Sequence, residues 1–409
     1  MLLARLLKHL IRVGTLTVID AAGRPHRFQG GTAGPSVTVR LHDRRLHRLL
    51  FYNPDLHAGE AYTNGTLTVE DASLYDFLEL IGRNVELAGG FHPLTDGARW
   101  MDKLFRRLHQ FNPAGWARSN VAHHYDLSGA LYDLFLDTDR QYSCGYFPTG
   151  SEDLETAQAL KKRHIAKKLL IRPGQTVLDI GSGWGGMGLY LARDFGARVT
   201  GVTLSSEQLK LSRSRAETAG LADRVDFRLR DYRSLEGRFD RIVSVGMFEH
   251  VGVGYYRTYF RKIRQLLADD GVALVHTIGR FDAPGTTSPW IRKYIFPGGY
   301  IPALSEMMAA VEKEGLWTTD VEVLRLHYAA TLRHWRHRFA ANRDRARELY
   351  DETFCRMWEF YLAVSEVSFR HLGNTVFQIQ LARRQDAVPL TRDYLTDWQE
   401  PGAESRTGT

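Results

Sequence analysis

Cysteine is nearly missing: Cys144 and Cys355 are the two thiols in 409 residues. Two cysteines do not make a disulfide framework, so the expected setting is reducing and cytoplasmic. No apolar run approaches the roughly 18 residues of a membrane span. Zinc-ligand spacings, helix-turn-helix patterns and RNA-binding patterns are also missing, and nucleic acid is not an expected partner. The charge is only mildly basic, 54 Lys+Arg against 47 Asp+Glu for a formal net of +7. The excess is scattered, with clusters at Lys161-Lys162-Arg163 and from Arg257 to Lys262. Such a surface suits anionic lipid or an acidic partner, and composition does not choose between them. No internal repeat occurs, and the one low-complexity stretch is a polar tail at 396–409.

What is present divides the chain. The start, MLLARLLKHLIRVG, sets leucines at 2, 3, 6, 7 and 10 between Arg5, Lys8 and Arg12. With no small-residue cleavage site it reads as an amphipathic helix rather than a signal peptide. Such a helix either packs on its own domain or lies on an anionic membrane. Across 1–90, GTLTVIDAAGRPHRF reads as a hairpin around Ala22-Gly23, PSVTVRLHD as a strand, and DASLYDFLELIG as a helix capped by Asp71 or Ser73. This is a small α+β domain without a catalytic constellation. Residues 91–118, containing RWMDKLFRRLHQF, read as a linker, and 119–395 as the catalytic domain. From 176 onward, nearly apolar strands alternate with amphipathic helices, which predicts an α/β fold with a doubly wound, mainly parallel sheet. VFQIQLARR is expected as a last, antiparallel edge strand.

VLDIGSGWGG puts Asp179, Gly181, Gly183 and Gly185 between the first strand of that sheet and a helix. Glycines there let the backbone turn sharply and bring a ligand to the helix N-terminus. The dinucleotide fingerprint is G-x-G-x-x-G with an acid about 20 residues on. Here the spacing is D-x-G-x-G-x-G, and the second strand ends in Thr203-Leu204-Ser205 without an acid. The loop instead resembles that of class I methyltransferases, which bind S-adenosylmethionine. In that reading Asp179 faces the amino-acid end of the cofactor, Thr203, Leu204 and Gln208 flank ribose and adenine, and Asp231-Tyr232 sits at the adenine edge.

In VSVGMFEHVG an apolar strand ends on an acid and an imidazole. Ligands of open α/β sheets bind outside the carboxyl ends of the strands. Glu249 past the fourth strand and His276 near the end of the fifth, in VALVHTIG, are therefore expected to converge; Glu249 rather than His250 is the expected participant. Cys144, in RQYSCGYF, has nothing nearby in sequence to depress its pKa and does not read as a nucleophile. Tyr328, in LHYAATL, offers a hydroxyl at the same rim. Phe281, Trp290, Tyr294, Phe296 and Tyr300 can wall an apolar site, though each singly reads as core.

HHYDLSGALYDLFLD, QYSCGYF, VLDIGSGWGG, DRIVSVGMFEHVG, LVHTIG, PWIRKYIFPGGYIP and LHYAATL, in this order, resemble the cyclopropane-fatty-acyl-phospholipid synthases. The first 90 residues are similar to that family's small lipid-associating domain. The resemblance implies that the double bond of a cis-unsaturated phospholipid acyl chain attacks the methyl of S-adenosylmethionine. The resulting carbocation loses a proton and closes a ring. It implies a bicarbonate held by Cys144, Glu249, His276, Tyr328 and the main chain of Ile278. It also implies cofactor contacts from Tyr142 and Ser143, and Tyr125, Trp290, Tyr294 and Phe296 along the substrate. Peripheral contact with the inner face of the membrane and a homodimer follow from the same resemblance. Two positions depart from it: Ser182 replaces a cysteine in the glycine loop, and Ser365 stands where the family has a second cysteine. Rival outcomes are a methyl-branched or methylene chain, an amine acceptor, or an inactive lipid-binding protein.

Overall fold

The computed structural model describes residues 2–89 and 129–396. The expected linker at 91–118, Tyr125 and the tail beyond Thr396 lie outside the described residues. The first body opens with the helix Leu2–Leu10 and continues through β1 (Val13–Ile19), β2 (Pro25–Gln29) and β3 (Thr32–Leu41). Helices Leu46–Tyr52 and Pro54–Thr63, β4 (Leu67–Val69) and the helix Leu74–Leu87 complete it. The sheet order is β2-β1-β3-β4, with β1 and β3 parallel. The β1–β2 hairpin turns because the Asp20 carboxylate accepts the amides of Ala22 (2.9 Å) and Arg24 (3.0 Å). Ser73 and Asp76 form a reciprocal capping box at the start of the last helix. In the opening helix Leu3 and Leu7 are buried while Leu2, Arg5 and Lys8 are exposed. Leu3 and Leu7 pack on their own body.

The second body contains β5 (Thr176–Ile180), β6 (Arg198–Thr203), β7 (Val225–Leu229), β8 (Phe239–Val245), β9 (Leu267–Arg280), β10 (Trp317–Val323) and β11 (Asn374–Ala382). Their order is β10-β11-β9-β8-β5-β6-β7. Strands β5 to β9 run parallel, while β11 is antiparallel to both β9 and β10. The expected mainly parallel, doubly wound α/β sheet is therefore present. Successive residues feed opposite layers: Val177 packs with Leu191, Phe195 and Phe227, and Leu178 with Ile242, Tyr259 and Ile263. Apolar side chains on both faces are what a covered parallel sheet requires. One expectation is corrected here. β11 is antiparallel but interior, and β10 is the edge; eight of the nine residues of β11 are buried, which an edge strand would not be.

The two bodies share one core. Leu3, Val37 and Leu80 of the first belong to the same buried cluster as Trp290, Tyr328, Trp358 and Phe369 of the second. At Gly59 an added Cβ would lie 2.5 Å from the Trp290 ring. Arg356, on the helix Glu352–His371, donates to the carbonyls of Tyr62 (2.6 Å) and Leu67 (3.2 Å).

Candidate active site

The chain order reverses direction across the sheet between β5 and β8, and the crevice outside the carboxyl ends of such strands is where open α/β sheets take ligands. A cleft lies there. Tyr142, Ser143, Asp179, Gly181, Gly183, Thr203, Leu204, Gln208, Asp231 and Tyr232 all line it. The glycine loop is hung from β6, since the amides of Gly181 (2.9 Å) and Ser182 (3.0 Å) both donate to the Val202 carbonyl. Gly185, expected among the cofactor residues, is instead a packing glycine behind the loop. Its φ is +86°, and a Cβ would meet the Phe227 ring at 2.7 Å and Ser212 Cβ at 2.9 Å. Only a residue without a side chain lets the loop turn into the helix Gly186–Phe195 against β7.

The polar groups of the cleft differ in how far they are already occupied. Thr203 Oγ1 donates to Gln208 Oε1 at 2.7 Å. The Asp231 carboxylate caps its own turn and takes two bonds from the Arg233 guanidinium. The Tyr142 and Tyr361 hydroxyls share a bond of 2.7 Å, and the Tyr142 ring stacks on Trp335. Asp179 is different. It is buried, its Oδ2 has no hydrogen-bond partner among the described residues, and burial pushes its carboxyl up to about 7. Such an oxygen suits a ligand that brings its own positive donor.

The residues expected to handle the proton, Cys144, Glu249, His276 and Tyr328, are buried and do not line this cleft. His276 sits opposite Val245 of β8 and Gln378 of β11. Gln378 Nε2 is 3.1 Å from His276 Nδ1; with the amide nitrogen donating, the neutral ring carries its proton on Nε2. Burial holds that ring neutral, its pKa lowered to about 3. Glu249 Oε1 accepts the Ile278 amide at 2.6 Å, while Oε2 is buried without a partner among the described residues. This corrects the expectation that the Ile278 amide is free for an anion: a buried carboxylate needs a donor, and this amide is the one it takes. Burial nevertheless raises the Glu249 carboxyl to about 7. Cys144 is buried and its thiol, pushed up by desolvation, donates to the Gly145 carbonyl. Tyr328 lies one helical turn from Thr331, whose hydroxyl accepts the Gly145 amide at 2.9 Å. Cys144 and Tyr328 belong to one buried cluster, and Ile278 packs against it. Glu249 thus reaches β9 two residues beyond His276.

The aromatic segment is split. Phe296 approaches the cleft, its ring 6.1 Å from that of His250 and 5.9 Å from that of Tyr361. Trp290, expected along the substrate, is instead locked between Gly59 and Phe360 at the contact of the two bodies. Tyr294 donates to Glu60 of the first body at 2.9 Å. Phe281 is 89% exposed, and Tyr300 is buried with its hydroxyl on Glu306.

Residues 115–379 match the family model described as mycolic acid cyclopropane synthetase. The chain belongs to that family. It is an S-adenosylmethionine-dependent methyltransferase. Among its relatives, a probable fatty acid methyltransferase of Pseudomonas putida is 43% identical over 82% of this chain and 84% of its own. The cyclopropane-fatty-acyl-phospholipid synthase of Escherichia coli (strain K12) is 41% identical over 64% of this chain and 66% of its own. The crystal structure of mycolic acid cyclopropane synthase CmaA1, complexed with SAH and CTAB, superposes with a TM-score of 0.62 at 31% identity. That match covers 66% of this chain and 99% of CmaA1.

Three features of this cyclopropane synthetase relative escaped sequence reasoning. His250, set aside in favour of Glu249, lines the cleft, whereas Glu249 points into the core. Gln378, whose Oε1 is also buried without a partner among the described residues, fixes the His276 ring from a strand 102 positions away. Lys161, read as part of a basic cluster, is fully buried. Its helical spacing with Gln158, Lys162 and Ile165, all buried, was the available signal.

Proposed function

We propose that this chain alkylates the cis double bond of an unsaturated phospholipid acyl chain and closes a cyclopropane ring. The observation that carries the reading is the pairing of the cleft with a set of neutral or protonatable groups, Cys144, Glu249, His276 and Tyr328, buried among aromatic rings. A developing carbocation needs apolar walls without a nucleophile, aromatic faces beside it, and a positioned proton acceptor. The buried thiol is a poor nucleophile because desolvation holds it protonated. Bound in the cleft, S-adenosylmethionine supplies an electrophilic methyl group. A bicarbonate held by the buried set would supply the proton acceptor: Glu249 Oε2, without a partner among the described residues, would accept its hydroxyl, and His276 Nε2–H would donate to its oxygens. Asp179 orients the amino-acid end of the cofactor, and Tyr142 closes the cleft from the Tyr361 side. Phe296 and Tyr361 line the acyl path.

We propose further that residues 1–90 serve as the lipid-associating domain and 119–395 as the catalytic one. What supports peripheral membrane contact is exposed Leu2, Leu49 and Tyr52 on adjoining helices, with Arg48 exposed on the second and Arg44 and Arg45 in the turn before it. A second product, a methyl- or methylene-branched chain, is favoured by the likeness to the probable fatty acid methyltransferase, which extends over more of the chain than that to the Escherichia coli synthase. One experiment decides. The protein is incubated with methyl-labelled S-adenosylmethionine and vesicles of cis-unsaturated phospholipid in carbonate-depleted buffer, with and without added bicarbonate. The expected product is a ring carrying one added CH₂, formed faster with bicarbonate. Branched chains alone would replace the ring by the second product. Bicarbonate-independent turnover would remove the anion from the account.

A further inference from the structure

The ammonium of Lys161 is fully buried and donates to Gln141 Oε1 (2.5 Å) and Ser143 Oγ (2.8 Å). Both acceptors are neutral, and both residues line the cofactor cleft. One turn earlier on the helix Leu154–Lys168, Gln158 Nε2 donates to the carbonyls of Gln141 (3.3 Å) and Ser143 (2.9 Å). Two side chains of one helix thus hold the segment that carries Tyr142 and Cys144. A buried ammonium without a carboxylate bonded to it is costly, and Asp137 is the nearby charge that offsets the cost most.

The groups that face it are Asp137, Asp139 and Cys144 on the clamped segment, Lys162 on its own helix, Asp179 at the end of β5 and His276 on β9. Asp139 is already engaged by Lys162 and Arg215. Asp137 accepts the amides of Gln141 and Asp139. Asp179 is the carboxylate of this set with an orphaned buried oxygen, and it lines the cleft.

We propose that Lys161 is a positioning residue for the cofactor: it holds Gln141 and Ser143 in the cleft wall and supplies the positive charge that favours an ionised Asp179, ready to pair with the amino group of the cofactor's methionine end. This rests on the reading of the cleft as the S-adenosylmethionine site. The electrostatics agree. Burial raises the Asp179 carboxyl to about 7, and the Lys161 ammonium is the influence that opposes the rise. Burial also lowers Lys161 itself to about 8, so its charge fades above that pH.

The test measures Kd by calorimetry from pH 6 to 9 for wild type, Lys161→Met and Lys161→Gln. The probes are S-adenosylhomocysteine and 5′-methylthioadenosine, which lacks the amino-acid end. A one-unit rise in the Asp179 pKa is a tenfold effect. Lys161→Met is therefore expected to bind S-adenosylhomocysteine about tenfold more weakly at pH 6.5 and within about threefold of wild type at pH 9. Taking the variant-to-wild-type ratio cancels the probe's own titration. Methylthioadenosine, which reports the loosened wall but not Asp179, is expected to lose at most about threefold, and equally at every pH. Lys161→Gln keeps a donor for Gln141 Oε1 and guards against a variant that cannot fold; it should show the same pH-dependent loss. A ratio that stays constant across the pH range, or equal losses for both probes, overturns the role of Lys161. No binding of either probe by wild type overturns the reading of the cleft itself.

Discussion

Asp179 shows how a single residue trades stability against function. Its folded pKa, about 7, lies above the usual carboxylate value of 3.8 because burial penalises the charged form. A raised acid contributes stability that is complete below the unfolded pKa and lost as pH rises through the folded one. The ligand-free chain should therefore be stabilised at pH 8 by Asp179→Asn, on the order of 2–4 kcal/mol, with the gain vanishing near pH 4. His250 and His276, both lowered by burial, destabilise the fold as pH falls below their usual value. Comparing variant and wild type at each pH removes that acid limb. Urea titrations at pH 4, 6 and 8 provide the measurement, and an equal gain at all three would show that charge is not the cause. The same substitution should weaken S-adenosylhomocysteine binding. Asp179 itself was legible from the D-x-G-x-G-x-G spacing; its orphaned oxygen was not, since that depends on which donors the fold brings near.

Among the elements, the loop and helix after β5 are the most tightly specified. Gly185 stands at +86° with the Phe227 ring behind it, so Gly185→Ala combines backbone strain with overpacking. A loss of about 2–4 kcal/mol is expected in the urea midpoint with an unchanged slope. A loss below about 0.5 kcal/mol would mean that the loop shifts freely, and that Gly185 is not needed for its shape. The periodicity of the sequence identified this element and its neighbours because apolar runs alternate with amphipathic ones. It misplaced β11, because an apolar run does not say whether another strand will cover it; β10, earlier in the chain, does. It also misread Lys161 and Lys162 as surface. Charge on a helix reads as solvated until its partners are known, and the partners here, Gln141, Ser143 and Asp139, come from another segment.

At the level of the whole molecule, the small sheet and the large one are joined by a shared core rather than by a thin contact. Trp290 fills that junction, with Gly59 of the first body against its ring and Phe360 of the second 4.8 Å away. Trp290→Ala should cost about 3–5 kcal/mol by leaving a cavity. Amide hydrogen exchange should rise in the helix Pro54–Thr63, where Gly59 loses the ring it faces. If exchange rises equally throughout, the junction is not where the cost falls. Among the described residues no helix is long and apolar enough to cross a membrane. Surface residues such as Leu49, Tyr52 and Arg48 are the proposed contact with lipid.

The amino-acid sequence by itself determined the alternation of strands and helices, the glycine loop, and the kinds of side chain that end each strand, because those follow from local spacing and turn chemistry. Only the tertiary structure decided that Glu249 reaches the Ile278 amide while His250 faces the cleft, that Trp290 belongs to a junction, and that the Lys161 ammonium is buried beneath the cleft wall. Each of these depends on which distant segment removes water from a polar or aromatic group, and local pattern carries no information about that.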